Sequence, residues 1–375
     1  MHESGCIMKN LAERVAKTEA SGIRRIFDLA AGLKNPVNLS IGQPDFDVPE
    51  ALKLKASEAI MSGKNAYTPT QGAAFLRDRL LSGPFKGYDQ KQLLVTGAVS
   101  GGLLLSYMAL LNAGDEIIVP DPYFVMYKQV AIMLDAVPVI LDTYPDWKLD
   151  AAKVEALVTP KTKAIILGSP SNPTGAVYSR DELAALAEVV KRHDIIVISD
   201  EIYEYYSYDA PVHTMREFCP ELTLTLGGFS KSHAMTGWRV GWAAGPEPLI
   251  QAMTKFQQFS FVCAPTPLQM AAADAIDFDM SESIAAYKHK RDLCYNGMVD
   301  AGYEVVKPGG AFYIFAKAPW GTGTEFVEEC LRHNLLVIPG GCFSDRDTHF
   351  RVAFSARDET IQQGIEILRK LRVKP

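Results

Sequence analysis

No apolar run in this chain approaches the roughly 18 residues that a membrane-spanning helix needs. Nor does a basic segment followed by an apolar one open it, so no secretory leader is expected. Cysteine is sparse and scattered. Cys6, Cys219, Cys263, Cys294, Cys330 and Cys342 include no closely spaced pair. That spacing offers neither a zinc knuckle nor a CxxC redox motif, and no metal is expected. Scattered cysteines fit a reducing compartment, so a cytoplasmic location is expected. There is no block of like charge, and the net charge of −6 argues against nucleic acid as a partner. Internal repeats and low-complexity tracts are absent too.

What is there is an ordinary globular composition, 48% hydrophobic and 22% charged over 375 residues. That length exceeds what one growing core serves, so two lobes are expected. Residues 1 to about 36 carry helical patterning that Pro36 interrupts, and 51–62 reads as an amphipathic helix closed by Gly63. Short apolar runs follow at 93–96, 116–120, 137–141, 164–167, 195–200, 222–226 and 240–244. Helical patterns at 102–111, 125–134, 149–157 and 181–193 separate several of them. Continuous apolar strands alternating with helices predict an α/β fold with a mostly parallel seven-stranded sheet covered by helices. Beyond about residue 275 a long helix (281–301) leads to short strands at 303–306, 310–316, 336–338 and 349–354, with helices at 324–334 and 359–371. This texture predicts a smaller α+β lobe, against which the N-terminal segment packs. The expected division is 45–275 for the large lobe and 1–44 with 276–375 for the small one.

Parallel sheets bind ligands at the carboxyl ends of their strands. Five stretches fall at such ends. Gly97-Ala98-Val99 is small enough for backbone N–H groups to approach an anion at a helix N-terminus, although it is not GxGxxG and also reads as a tight turn. Asp121-Pro122-Tyr123-Phe124 offers aromatic faces, or simple core packing. Ser169–Gly175 holds Asn172 between prolines in a defined turn. Asp200-Glu201-Ile202-Tyr203 ends the most apolar strand, where a carboxylate needs a cationic or protonated partner. Finally, Lys231 stands among small and hydroxyl residues, with Arg239 downstream between glycines. Each stretch alone also reads as structural. Together they supply an anion cradle, an aromatic plate, an amide, a buried carboxylate, a lysine and an arginine, the parts that hold a flat, phosphorylated, protonated heterocycle.

These stretches, with NLSIGQPD at 38–45, YTPTQG at 67–72, GAFYIF at 310–315 and HFRVAFS at 349–355, resemble the class I/II pyridoxal-phosphate aminotransferases of fold type I, of the aspartate/aromatic kind. The motifs run in family order across nearly the whole chain. The resemblance implies that Lys231 bonds to the aldehyde of pyridoxal 5'-phosphate and later shuttles the substrate proton. Asp200 is then the partner of the ring nitrogen, and Asn172 and Tyr203 donate to the ring phenolic oxygen. Phe124 and Ile202 would flank the ring faces. Gly97, Ala98 and Val99 with Arg239 would hold the phosphate, and Tyr67 would reach the phosphate of a neighbouring subunit in a homodimer. Arg351 would grip the substrate carboxylate beside Gly42 and Asn172. The chain departs from the family at Gly228, where relatives often carry a phosphate-binding Ser, and at Val99, where they often carry a polar residue. Ser230, beside the lysine, is the remaining hydroxyl for that role.

The implied activity moves an amino group from an L-amino acid to a 2-oxo acid such as 2-oxoglutarate in a ping-pong reaction. Carbon–sulfur lyases use the same lysine and aspartate and remain an alternative. A non-catalytic regulator would need a DNA-binding module, and no basic helix-turn-helix precedes the motifs. For substrate choice, SGIRRIF at 21–27 resembles members acting on aspartate, alanine or aromatic amino acids. Arg24 and Arg25 are candidates for a distal cation, Phe27 for a contact over the substrate side chain, and Tyr123, Phe259, Phe261 and Tyr313 for an apolar wall.

Overall fold

A computed structural model of the chain describes residues 11–20, 22, 26 and 32–374. Its strands are β1 (Val37–Asn38), β2 (Leu93–Thr96), β3 (Glu116–Asp121), β4 (Val137–Asp142), β5 (Thr162–Gly168), β6 (Ile196–Asp200), β7 (Thr223–Gly228), β8 (Gly241–Ala244), β9 (Tyr313–Lys317), β10 (Leu335–Leu336), β11 (Ile338–Pro339) and β12 (His349–Ala353). The seven expected apolar runs become one seven-stranded sheet of order β2-β8-β7-β6-β5-β3-β4. The pairs β3–β4, β3–β5, β5–β6 and β6–β7 are parallel. Only β8 runs against its neighbours, β2 and β7. All other strands therefore end at the same edge of the sheet.

The inner strands are mostly buried and largely apolar because both faces are covered. Side chains alternate between faces. Ile117 and Val119 of β3, with Ile166 of β5, enter one core against Leu103 and Leu105 of helix Ala98–Leu110 and Met253 of helix Glu247–Gln258. Ile118, Ile165, Leu167 and Val197 enter the other, against Leu183, Leu186 and Val190 of helix Arg180–His193. That helix starts at a reciprocal capping box between Ser179 and Glu182, which satisfies two otherwise unpaired N–H groups. Helix Glu50–Met61 is followed, as expected, by Gly63 in the left-handed region, with φ 82°.

The remaining strands form a three-stranded antiparallel sheet, β11-β12-β9, and a parallel pair, β1-β10. They share a core with Leu39, Phe312, Phe326, Phe350 and Leu368. The Ala353 N–H donates to Leu39 O at 2.7 Å, which fastens the residues after β1 to β12. The expected strand at 303–306 does not form, apart from one bridge between Val305 and Ala316. Tyr303 turns into the core instead, its hydroxyl donating to Leu368 O at 2.8 Å. Helices Glu247–Gln258 and Thr266–Ala275 were not expected; Pro246 and Pro265 precede them as N-cap residues, where no N–H is needed. Among the described residues no helix is long and apolar enough to cross a membrane.

Candidate active site

The carboxyl ends of β2, β3, β5, β6 and β7 converge on a pocket of about 290 Å³, closed from the other side by Gly42, Tyr313 and Arg351. After β2, Gly97 caps helix Ala98–Leu110, and no side chain takes the free N–H groups of its first turn. Ala98 adopts a left-handed φ of 60° there, and Arg239 does the same at 56° after β7. Non-glycine residues held in that region cost about 1–2 kcal/mol each, and such strain collects at functional sites. Gly241 explains why the chain comes so close: a Cβ on it would lie 2.8 Å from Ala98 Cα.

Asp200 is buried and receives the Tyr127 hydroxyl at 2.8 Å and the Ile202 N–H at 3.2 Å. Burial pushes its carboxyl up to about 6, opposed by those two donors and by the Lys231 charge. Lys231 Nζ donates to Gly42 O at 2.6 Å. Burial pulls the Lys231 ammonium down to about 8, the Arg351 and Arg239 charges add to this, and Asp200 opposes it. The Tyr206 hydroxyl donates to Lys231 O at 3.0 Å and fixes the backbone beneath the side chain.

Arg351 on β12 is buried, and burial lowers its affinity for the proton, though a guanidinium stays charged. Its Nη1 donates to Asn172 Oδ1 at 2.9 Å and its Nη2 to Ser40 O at 2.9 Å. Its guanidinium lies over the rings of Tyr313, at 4.4 Å, and Phe343, at 4.7 Å. Because Asn172 accepts through Oδ1, its amide N–H groups are left for the pocket. Arg351 Nε and Ser230 Oγ are buried without a hydrogen-bond partner among the described residues.

Ala98, Val99, Phe124, Asn172, Asp200, Ile202, Tyr203, Ser230, Lys231, Arg239, Gly42 and Arg351 thus line one pocket. Gly97 does not: it lines the adjacent cavity, where a Cβ on it would meet the Phe261 ring at 3.3 Å. Tyr67 stands apart from the pocket and is 83% exposed. Of the proposed apolar wall, Tyr313 lines the pocket, Phe261 lines its neighbour, Tyr123 is core and Phe259 is exposed. Arg24, Arg25 and Phe27 lie outside the described residues. Gly228 stands in a tight place: a Cβ there would lie 3.1 Å from Gly241 Cα and Val240 O, so a serine needs the neighbouring backbone to give by a few tenths of an ångström. Tyr127, Ser100, Pro170 and Thr236 line the pocket without having been singled out. Tyr127 sits one turn along the helix from Phe124, and that spacing was its available signal.

The family model for aminotransferase class I and II matches residues 34–368. The chain is 34% identical to an aromatic-amino-acid aminotransferase of Thermococcus litoralis, over 96% of this chain and 98% of that one. It is equally 34% identical to an aspartate aminotransferase of Pyrococcus abyssi, over 96% and 98% of the two chains. Among solved structures, aspartate aminotransferase from Thermus thermophilus with maleate superposes with a TM-score of 0.93 at 32% identity, covering 97% of this chain and 100% of that one. The geometry of the pocket and the extent of these matches lead to one conclusion: the chain belongs to the class I and II aminotransferases, enzymes of fold type I.

Proposed function

We propose that this chain binds pyridoxal 5'-phosphate in the pocket around Lys231. It then moves an amino group from an L-amino acid of the aspartate, aromatic or alanine type to a 2-oxo acid such as 2-oxoglutarate. The observation that carries the reading is the meeting of a lysine drawn down to about 8 with a buried carboxylate and a buried guanidinium in one enclosure. The residues fit the cofactor on two further counts. The uncapped start of helix Ala98–Leu110 offers backbone donors for a phosphate. Ser230 Oγ and Arg351 Nε are buried polar atoms lacking partners among the described residues.

When bound, pyridoxal phosphate supplies an aldehyde that bonds to amines and a protonated ring that takes up the electron pair left by a departing Cα proton. Asp200, steadied by Tyr127, would keep the ring nitrogen protonated. Asn172 Nδ2 and Tyr203 Oη would donate to the ring phenolic oxygen, with Phe124 and Ile202 at the ring faces. The N–H groups of Ala98 and Val99, with Ser230 Oγ and Arg239, would hold the phosphate, and Gly97 would shape the turn before them. Arg351 and Asn172 grip the substrate carboxylate, and Gly42 leaves them room. Lys231 Nζ, released as a neutral amine, takes the proton from the substrate Cα. The Gly42 carbonyl gives that amine a resting place at 2.6 Å.

The same reading makes the enzyme a cytoplasmic homodimer with Tyr67 reaching the neighbouring site, and it divides the chain into lobes at 45–275 and at 1–44 with 276–375. Relatives named for aspartate and for aromatic amino acids are equally identical to the chain, at 34%, so the amino acid is a matter for assay. Initial rates with 2-oxoglutarate and aspartate, alanine, phenylalanine or methionine test the reading, with Lys231→Ala alongside. Transfer that disappears in Lys231→Ala while the fold persists is the expected result. Normal turnover in that variant, or pyruvate release from cystathionine without a 2-oxo acid, would sink it.

A further inference from the structure

Tyr203 and Tyr313 form a buried phenol pair, Oη to Oη 2.8 Å, whose donor the heavy atoms leave open. Each hydroxyl has one proton to give. We propose that Tyr313 is a positioning residue that donates to Tyr203 Oη, so that Tyr203 spends its own proton on the ring oxygen of the bound cofactor. This rests on the reading of the pocket given above and adds a role for a residue outside the assigned set.

Three features of the surroundings set the direction. The Arg351 guanidinium lies 4.4 Å from the Tyr313 ring centre, has no lone pair to accept a proton, and favours negative charge on the Tyr313 oxygen. Burial pushes both phenols up; at Tyr203 the neighbouring Tyr313 adds to the rise and Arg351 opposes it only weakly, whereas at Tyr313 Arg351 is the leading opposing charge. The more acidic phenol is the better donor. Next, Gly42 clears the place: a Cβ on it would meet Tyr313 Oη at 2.7 Å. Last, the β9–β12 register places Tyr313 opposite Ala353 and Phe315 opposite Arg351. Tyr313 and Arg351 are therefore held by the same sheet and line the same pocket.

A hydroxyl that accepts a hydrogen bond becomes a stronger donor. Losing the Tyr313 hydroxyl therefore weakens Tyr203 as a donor to a negatively charged ring oxygen. That oxygen then holds its charge less well, and the cationic form of the Lys231–cofactor bond is favoured. Tyr313→Phe removes the hydroxyl and keeps the ring beneath Arg351. The test is a pH titration of the holoenzyme's visible absorbance in the parent, Tyr313→Phe, Tyr203→Phe and the double variant, with kcat and KM for the amino acid. We expect the apparent pKa of the chromophore to rise in Tyr313→Phe, by less than in Tyr203→Phe, and the double variant to match Tyr203→Phe. Turnover falls about fivefold, the size of one buried hydrogen bond, with KM little changed. A parent-like titration in Tyr313→Phe beside a shifted Tyr203→Phe overturns the inference alone. A shift in neither variant overturns the reading of Tyr203 and the inference with it. Lowered thermal stability with an unmoved titration marks Tyr313 as packing and also overturns it.

Discussion

On the proposed reading Lys231 has to be a neutral amine when it meets the cofactor carbonyl, and its surroundings favour that form. A free lysine titrates near 10.4, whereas burial and two arginines draw Lys231 down to about 8. The neutral fraction therefore grows as pH rises through 8 and is nearly complete about one unit above. The rate of pyridoxal-phosphate uptake by the cofactor-free chain should rise about tenfold from pH 7 to pH 9 and then level off. Stopped-flow absorbance measures this, and a rate still climbing at pH 10.5 contradicts the lowered value. At this scale most of the pocket was legible because Lys231, Asp200, Asn172 and Arg351 are chemically distinctive residues in ordered motifs. Tyr127 was not. Its value lies in a hydrogen bond to Asp200 across 73 residues of sequence, and a tyrosine on a helix reads as core.

The element that shapes the proposed phosphate end is the crossing of β8 over the start of helix Ala98–Leu110. A Cβ on Gly241 would lie 2.8 Å from both Ala98 Cα and Gly227 O, and backbone atoms cannot rotate aside. Gly241→Ala should cost about 2 kcal/mol of stability and also loosen the cofactor, so that added pyridoxal phosphate raises Tm less than in the parent. Gly63→Ala is the comparison. It meets nothing within 4 Å but must hold a φ of 82°, so it should lose about 1 kcal/mol and keep the full cofactor-induced rise. Calorimetry of both variants with and without cofactor separates the two outcomes. The strands themselves were readable as apolar runs, since burial on both faces keeps most of them apolar; only β7 alternates, as Thr223-Leu224-Thr225-Leu226. The segment at 303–306 misled because an apolar run does not say whether its backbone finds a partner strand.

On the scale of the whole molecule, several large apolar side chains face outward. Phe259 is 87% exposed, Tyr67 83% and Met61 86%, and Val262 holds a left-handed φ of 64°. Large exposed apolar groups that gather on one protein mark contact surfaces. In solution the protein is expected at about twice the chain mass of 41.2 kDa by sedimentation equilibrium. Phe259→Ser should shift it toward the single chain and weaken cofactor retention, because Tyr67 then has no neighbouring site to reach. A single-chain species with full cofactor affinity would remove Tyr67 from the site.

The motifs alone determined the family and singled out Lys231 and Asp200 as candidates, because bond-making chemistry demands particular side chains in a particular order. Whether those side chains meet was decided by the sheet. Parallel strands bring carboxyl ends distant in sequence, such as Thr96 of β2 and Asp200 of β6, to one edge, and β12 carries Arg351 across to them. The proton affinities are tertiary as well. Neither the value of about 8 at Lys231 nor that of about 6 at Asp200 belongs to a residue type; both arise from burial and from charges that only the folded chain places nearby.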